Sequence, residues 1–342
     1  MAAPLVIFPG DSLAQTPVED KNGEAIDPET GTPSNFPDWD GGTLSIQIEN
    51  DKIGGTDRHY TNGVSATWVS GVGDMAPWAR KVGDAIPFFP SDAIQRYSVT
   101  FGQSIFTPED TQAQIPDPSD RPYAGWTYVG LGYIAETGET LDRLELDLGM
   151  VGPYALGEEI QNNFHTLIGV DTSKGWGHQI HNEPGVVLYY ERMWRQFASF
   201  KAGGVGFDLA PHVGGALGNV YVYGAAGATA RVGFNLPDDY GPPRIRPSLP
   251  GSSHFEPTGS LGGYLFAGIE GRAVAHNIFL DGNTFRDSPD VEKEILVGDL
   301  QAGLALTLGN ARLTYTQVIR SPEFVGQKDP DIFGSVSLSY KF

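Results

Sequence analysis

Residues 334–342 read Gly334-Ser335-Val336-Ser337-Leu338-Ser339-Tyr340-Lys341-Phe342. Val336, Leu338, Tyr340 and Phe342 share one face of an extended chain, and Ser335, Ser337, Ser339 and Lys341 share the other. A period of two marks a strand with one apolar side. The pattern recurs upstream. Leu144, Leu146, Leu148 and Met150 oppose Arg143, Glu145, Asp147 and Gly149. Leu44, Ile46 and Ile48 oppose Ser45, Gln47 and Glu49, and around 300–308 alternate leucines oppose Gln301, Gly303 and Thr307.

A soluble sandwich turns such an apolar face to its core, whereas an outer-membrane barrel turns it to lipid and its polar face to the lumen. Alternation alone fits both. Three features favour the barrel. The polar faces carry Arg143, Glu145 and Asp147 among small Ser and Gly residues, as a crowded wet lumen requires. The aromatics Trp126, Tyr128, Tyr133, Trp194, Tyr340 and Phe342 fall in or near strand ends, as an interfacial girdle would place them. The chain also ends on a strand with a terminal Phe. The expected fold is all-β: an antiparallel transmembrane β-barrel of about twelve strands. These lie near 43–51, 61–70, 96–106, 124–136, 140–151, 187–199, 204–212, 219–232, 262–274, 292–308, 311–320 and 332–342.

With both termini periplasmic, the outer loops fall near 52–60, 107–123, 152–186, 213–218, 275–291 and 321–331. Inner turns are short at 136–139, 200–203 and 309–310, but 71–95 and 233–261 break the short-turn rule. A leader over 1–41, rich in Pro, Gly, Asp and Glu, reads as flexible. The barrel domain then takes 42–342. Ala2–Phe8 are apolar but too short and without preceding basic residues, so they make no signal peptide.

Composition excludes several chemistries. The 342 residues hold 22 Lys+Arg against 42 Asp+Glu, a net charge of −20, so a phosphate backbone would be repelled and nucleic acid is no partner. With no cysteine, disulfides, thiol nucleophiles and Cys-based metal sites are absent. No apolar run reaches the roughly 18–20 residues of a transmembrane helix. Neither a Gly-X-Ser-X-Gly elbow nor a nucleotide fingerprint occurs.

Four polar clusters fall at the outer rim of this topology: Glu49-Asn50-Asp51, Asp57–Gly63, Asp120–Trp126 and Gly152–Asp171. Residues 155–168 favour a short helix in an outer loop, with Gln161 and His165 at i, i+4 on one face and Asp171 just beyond. His165 is a candidate general base. Asn50, Asp51 and Asp171 offer hard oxygens suited to Ca²⁺, and a cation there would hold an oxyanion. Plainer readings stand beside these. Asn50-Asp51 is a turn sequence, a loop His is commonly structural, and Arg121 in Asp120-Arg121-Pro122 suits a brace on a carboxylate. His178 and His181 lack a third spaced ligand.

These residues together carry a resemblance. From about Gly42 to the C-terminus the chain resembles the lipid A 3′-O-deacylase family of Gram-negative outer-membrane enzymes. The marks are Glu49-Asn50-Asp51, the 57–63 stretch, Gln103 with Phe106-Thr107-Pro108, and Asp120–Trp126. To these add Gly152-Pro153…Gln161…His165…Gly169, then Gly175-Trp176…Gln179 and Asn182-Glu183. The resemblance implies a twelve-stranded barrel and a Ca²⁺-dependent ester hydrolase. Its substrate would be the 3′-linked acyloxyacyl group of lipid A (lipopolysaccharide), and its site would face the outer leaflet. Position by position, His165, Gln161, Asn50 and Thr61 fall on catalytic positions, and Asp51 and Asp171 on calcium ligands. Asp171 replaces a glutamate. A family lysine in the loop after the third strand has no counterpart, since 108–119 contain neither Lys nor Arg; Arg121 is nearby. The alternatives are a non-catalytic barrel (pore or structural protein) and a soluble Ca²⁺-binding lectin-like sandwich.

Overall fold

The computed structural model describes residues 42–51, 59–72, 93–237 and 253–342, with scattered positions between them and two paired two-residue strands, Val18–Glu19 and Ala25–Ile26. The rest of the expected leader over 1–41 lies outside the described residues, as do Asp57 and Arg58.

Among the described residues, twelve antiparallel strands form one closed sheet. They are β1 (Thr43–Asn50), β2 (His59–Val69), β3 (Ile94–Thr107), β4 (Ala124–Glu136), β5 (Thr140–Val151) and β6 (Glu183–Trp194). The remainder are β7 (Val205–Gly218), β8 (Tyr221–Phe234), β9 (Leu261–Asn277), β10 (Leu296–Leu308), β11 (Ala311–Arg320) and β12 (Asp331–Lys341). Closure comes from β12 on β1, running from Gly334↔Asn50 to Lys341↔Thr43. Two expected connections are strand instead. β7 continues through 213–218, so the outer turn there is only Asn219-Val220. The expected inner turn at 200–203 belongs to a short segment, Ala198–Ala202, that resumes β6's course and pairs with the start of β7.

Burial decides between sandwich and barrel. Val336, Leu338 and Tyr340 are exposed, while Ser335, Ser337, Ser339 and Lys341 are buried. The same inversion holds for Leu148 against Glu145 and Asp147, and for Ile46 and Ile48 against Gln47 and Glu49. A large apolar surface turned outward around a polar interior is the arrangement of a membrane barrel. The girdle expectation holds at the inner rim, where Tyr340 and Phe342 are exposed. It fails for Trp126, Tyr128 and Tyr133, which are buried. Trp126 and Tyr128 have lumen parity, which overrides aromatic preference for the interface; Tyr133 has the outward parity of Val129 and Leu131 and is covered by Phe89, which stacks on it.

Charges inside the lumen are paired, which offsets much of the desolvation that isolated charges would suffer. Arg272 bridges Glu270 (2.9 Å) and Asp299 (3.0 Å), and Arg320 reaches Asp299 at 2.9 Å. Arg231 holds Asp208 at 2.6 Å and, with Arg312, grips Asp239. Asp239 belongs to the long inner connection between β8 and β9, which explains the broken short-turn rule. That connection enters the barrel. The Pro247 carbonyl accepts from Arg320 (2.7 Å), the Ser253 carbonyl from Ser45 (2.8 Å), and Phe255 lies under the Arg312 guanidinium. His254 meets Glu136 at 3.3 Å.

Candidate active site

The loop after β5 builds the site. Gly152 ends the strand at φ 87°, and a Cβ there would lie 2.6 Å from the His181 backbone, so only glycine fits. A 3₁₀ turn, Pro153–Ala155, follows. Its Ala155 carbonyl accepts from Gln103 Nε2 (2.6 Å, on β3) and Thr127 Oγ1 (2.9 Å, on β4), which fastens the loop to the rim. Helix α1 (Gly157–Ile168) then packs on β3 and β4. Gly169 closes it at φ 72°, donating to the His165 and Thr166 carbonyls.

The buried face of α1 is Gly157, Gln161 and His165, as the i, i+4 spacing predicts. Trp176, itself buried, donates its indole N–H to Gln161 Oε1 at 2.8 Å. Indole is a donor only, so this bond sets which way the amide points. Gln161 Nε2 is then a buried donor without a partner among the described residues. His165 Nδ1 donates to the Asp171 carbonyl at 2.8 Å. A carbonyl accepts only, so the proton sits on Nδ1 and Nε2 keeps its lone pair. The segment after the helix is held by Asn162, whose side chain bonds both the N–H (2.9 Å) and carbonyl (3.3 Å) of Ser173.

Neighbouring strand ends supply the other candidates. Asn50 closes β1 and donates through Nδ2 to the Thr61 carbonyl (2.8 Å). Thr61 Oγ1 meets Thr107 Oγ1 of β3 at 2.7 Å. Asp51 follows Asn50 and is 1 % exposed. Glu49, by contrast, faces the lumen, accepting from Tyr60 (3.0 Å) and Gln47 (2.9 Å). Gly63 permits the Tyr60 contact, because a Cβ would sit 2.1 Å from the phenol oxygen. Tyr123 packs tilted against Trp176, ring centroids 4.8 Å apart, and donates to the Thr111 carbonyl; burial first of all pushes its phenol up to about 12. The described residues of the four clusters, 49–51, 59–63, 120–126 and 152–171, thus lie at the same end of β1 to β5.

The description "Outer membrane protein LpxR" names a family that matches residues 13–342. The chain belongs to this LpxR family. The match begins within the leader segment, ahead of β1. LpxR from Salmonella typhimurium superposes with a TM-score of 0.71 at 22 % identity, covering 88 % of this chain and 100 % of that one. That likeness is one of fold. The β domain of the Bordetella autotransporter BrkA reaches 0.45 at 9 % identity, over 89 % of this chain and 100 % of that one. The NalP translocator domain from Neisseria meningitidis reaches 0.32 at 11 % identity, over 88 % of each chain. No curated protein matches. The protein is therefore an outer-membrane β-barrel.

At this LpxR-family rim the structure decides between readings the sequence left open and adds contacts beyond them. Asp171 contributes its backbone carbonyl to His165, and its side chain is exposed. Arg121 is fully buried, 3.3 Å from Glu323 and stacked over Phe106 at 4.9 Å, so it is a brace and does not open to the mouth. Trp176, Thr107 and Asn162 carry contacts that their motifs alone did not assign. The donor set suits a hard cation: carboxylates of Asp51 and Asp171, amide and hydroxyl oxygens of Asn50 and Thr61, no sulfur. Among the described residues no three His, Cys, Asp or Glu gather at one point. A calcium ion would thus draw most of its oxygens from neutral groups and water.

Proposed function

We propose that the chain is a calcium-dependent ester hydrolase that removes the 3′-linked acyloxyacyl group of lipid A at the outer leaflet. The observation that carries this reading is the state of two buried side chains on one helix face: an imidazole with its Nε2 lone pair available, and an amide with its N–H₂ end unpartnered. A base and an oxyanion donor are the two groups ester hydrolysis by water requires.

In this reading His165 Nε2 takes a proton from water as the oxygen adds to the ester carbonyl. Gln161 Nε2 donates to the oxygen that becomes negative. As the tetrahedral centre collapses, His165 returns the proton to the sugar oxygen, leaving a fatty acid and a free hydroxyl. Asn50 and Thr61, tied to each other and to Thr107, hold the wall of the site in place. Calcium, when bound by Asp51 and Asp171 with neighbouring oxygens, supplies Lewis-acid stabilisation of the same negative charge.

The second reading, a non-catalytic barrel on this scaffold, is favoured by one observation, the lack of any Lys or Arg in 108–119. A pore is disfavoured by the connection that enters the lumen. Mass spectrometry of lipid A incubated with detergent-purified protein, with Ca²⁺ or EDTA, separates the two. Calcium-dependent loss of one acyloxyacyl unit, abolished in His165→Ala, supports the hydrolase. Unchanged lipid A under every condition supports the inert barrel.

A further inference from the structure

Helix α1 has three sides, not two. Its buried stripe, Gly157, Gln161 and His165, faces the barrel rim and Trp176. At 100° per residue, Ile160, Phe164 and Leu167 fall together on one flank of that stripe, Leu156 extends it at the N-cap, and Ile168 falls in line with the stripe at the last turn. Glu158, Glu159, Asn162, Asn163 and Thr166 fall on the opposite flank. The apolar flank is uncovered: Leu156 is 52 % exposed, Phe164 43 % and Leu167 82 %. Four large apolar side chains on one exposed strip exceed what scattered surface residues explain.

We propose that this flank is immersed in the acyl chains of the outer leaflet, so that α1 lies along the lipid boundary with its polar flank in water. Continuity argues for lipid as the occupant. The lipid-facing side of β5 carries Leu148, exposed like Val129 and Val186 on the flanking strands. The chain then passes through buried Val151 and Gly152 and surfaces again at exposed Tyr154 and Leu156, where the helical flank begins. The apolar surface of the barrel thereby extends onto the helix. An amphipathic helix of this kind places its apolar face at the headgroup–acyl boundary. Gln161 and His165, on the stripe between the flanks, then lie at the depth where the headgroup meets its chains. The helix's placement stands on its own geometry and does not depend on the reaction proposed above.

The test uses the absence of native cysteine. In full-length protein reconstituted in lipopolysaccharide-containing vesicles, nitroxide labels are attached to single cysteines at Ile160→Cys, Phe164→Cys, Leu167→Cys, Asn163→Cys and Thr166→Cys. Their collision rates with oxygen, which partitions into lipid, and with a water-soluble nickel chelate are then compared. The expected result is two classes, with a several-fold higher oxygen-to-nickel ratio at 160, 164 and 167 than at 163 and 166. Adding Phe164→Asp and Leu167→Asp to the Ile160 label, both at exposed positions, should shift that label toward the aqueous class. One aqueous class for all five sites would overturn the proposal. So would dipolar coupling between labels on different molecules, which would mean that a second copy covers the flank.

Discussion

Trp176 and Gln161 are joined by a single hydrogen bond, indole N–H to amide oxygen at 2.8 Å, between a 3₁₀ turn and the buried face of α1. The pair converts a side chain that could present either end to the site into one that presents only its donor. Since Trp176 is packed between Tyr123 and Gly157, the amide is oriented by a rigid group.

Replacing Trp176 with Phe keeps the ring and removes the donor, so the Gln161 amide is free to turn. We expect kcat on lipid A to fall about tenfold with KM little changed, the size of one lost hydrogen bond in the transition state. In a Gln161→Ala background the same change should cost almost nothing more, because the indole acts through the amide. Additive losses would make Trp176 a packing residue only.

Asp51 and Asp171 should differ as calcium ligands. Asp51 is buried and Asp171 is exposed. Asp51→Ala is expected to abolish turnover at any calcium concentration. Asp171→Ala, which leaves the backbone carbonyl on His165, should raise the calcium needed for half-maximal turnover while sparing the plateau. Calcium titration of lipid A deacylation checks both.

Arg121 and Glu323 join the loop before β4 to the loop after β11 across the rim. Removing one partner leaves the other buried, which costs on the order of 3–5 kcal/mol. Glu323→Ala should therefore lower the unfolding free energy, measured by denaturant titration in micelles, by that amount. Arg121→Lys should recover little of the native stability, because a lysine lacks the planar cation that stacks on Phe106.

The inner connection makes a prediction about conductance. Asp239 and Phe255 hold it against Arg231 and Arg312 inside the lumen. In planar bilayers the intact chain should be electrically silent. Replacing 238–256 with a short Gly-Ser linker should give ion-conducting channels; silence in both would mean that wall side chains alone close the lumen.

Much of the fold was legible because strand parity is a local property. The alternation at 334–342 and 140–151 named the strands to within a residue or so, and the even count with short turns allowed closure. The helix and its Gln161–His165 face followed from spacing alone. Parity also overruled composition where the two conflicted: Trp126 and Tyr128 read as girdle aromatics but occupy inward positions. The missed strand at 213–218, Val-Gly-Gly-Ala-Leu-Gly, was hidden by small residues that carry little alternation. Its status comes from pairing with 187–192 on one side and 223–226 on the other.

By itself, then, the sequence determined most of the strands, which side of each is apolar, and, through the strand order, that the polar clusters share a rim. Each of these depends on neighbours within a few residues. Only the tertiary structure decided the orientation of the Gln161 amide, the tautomer of His165 through the Asp171 carbonyl, the burial of Arg121 against Glu323, and the entry of Asp239, Pro247 and Ser253–Phe255 into the lumen. Arg121 and Glu323 lie 202 residues apart, and the partners of Gln161 and His165, though only 15 and 6 residues on, are set by the three-dimensional path of the loop. A donor or acceptor acquires a direction only when folding brings its partner within 3 Å or so.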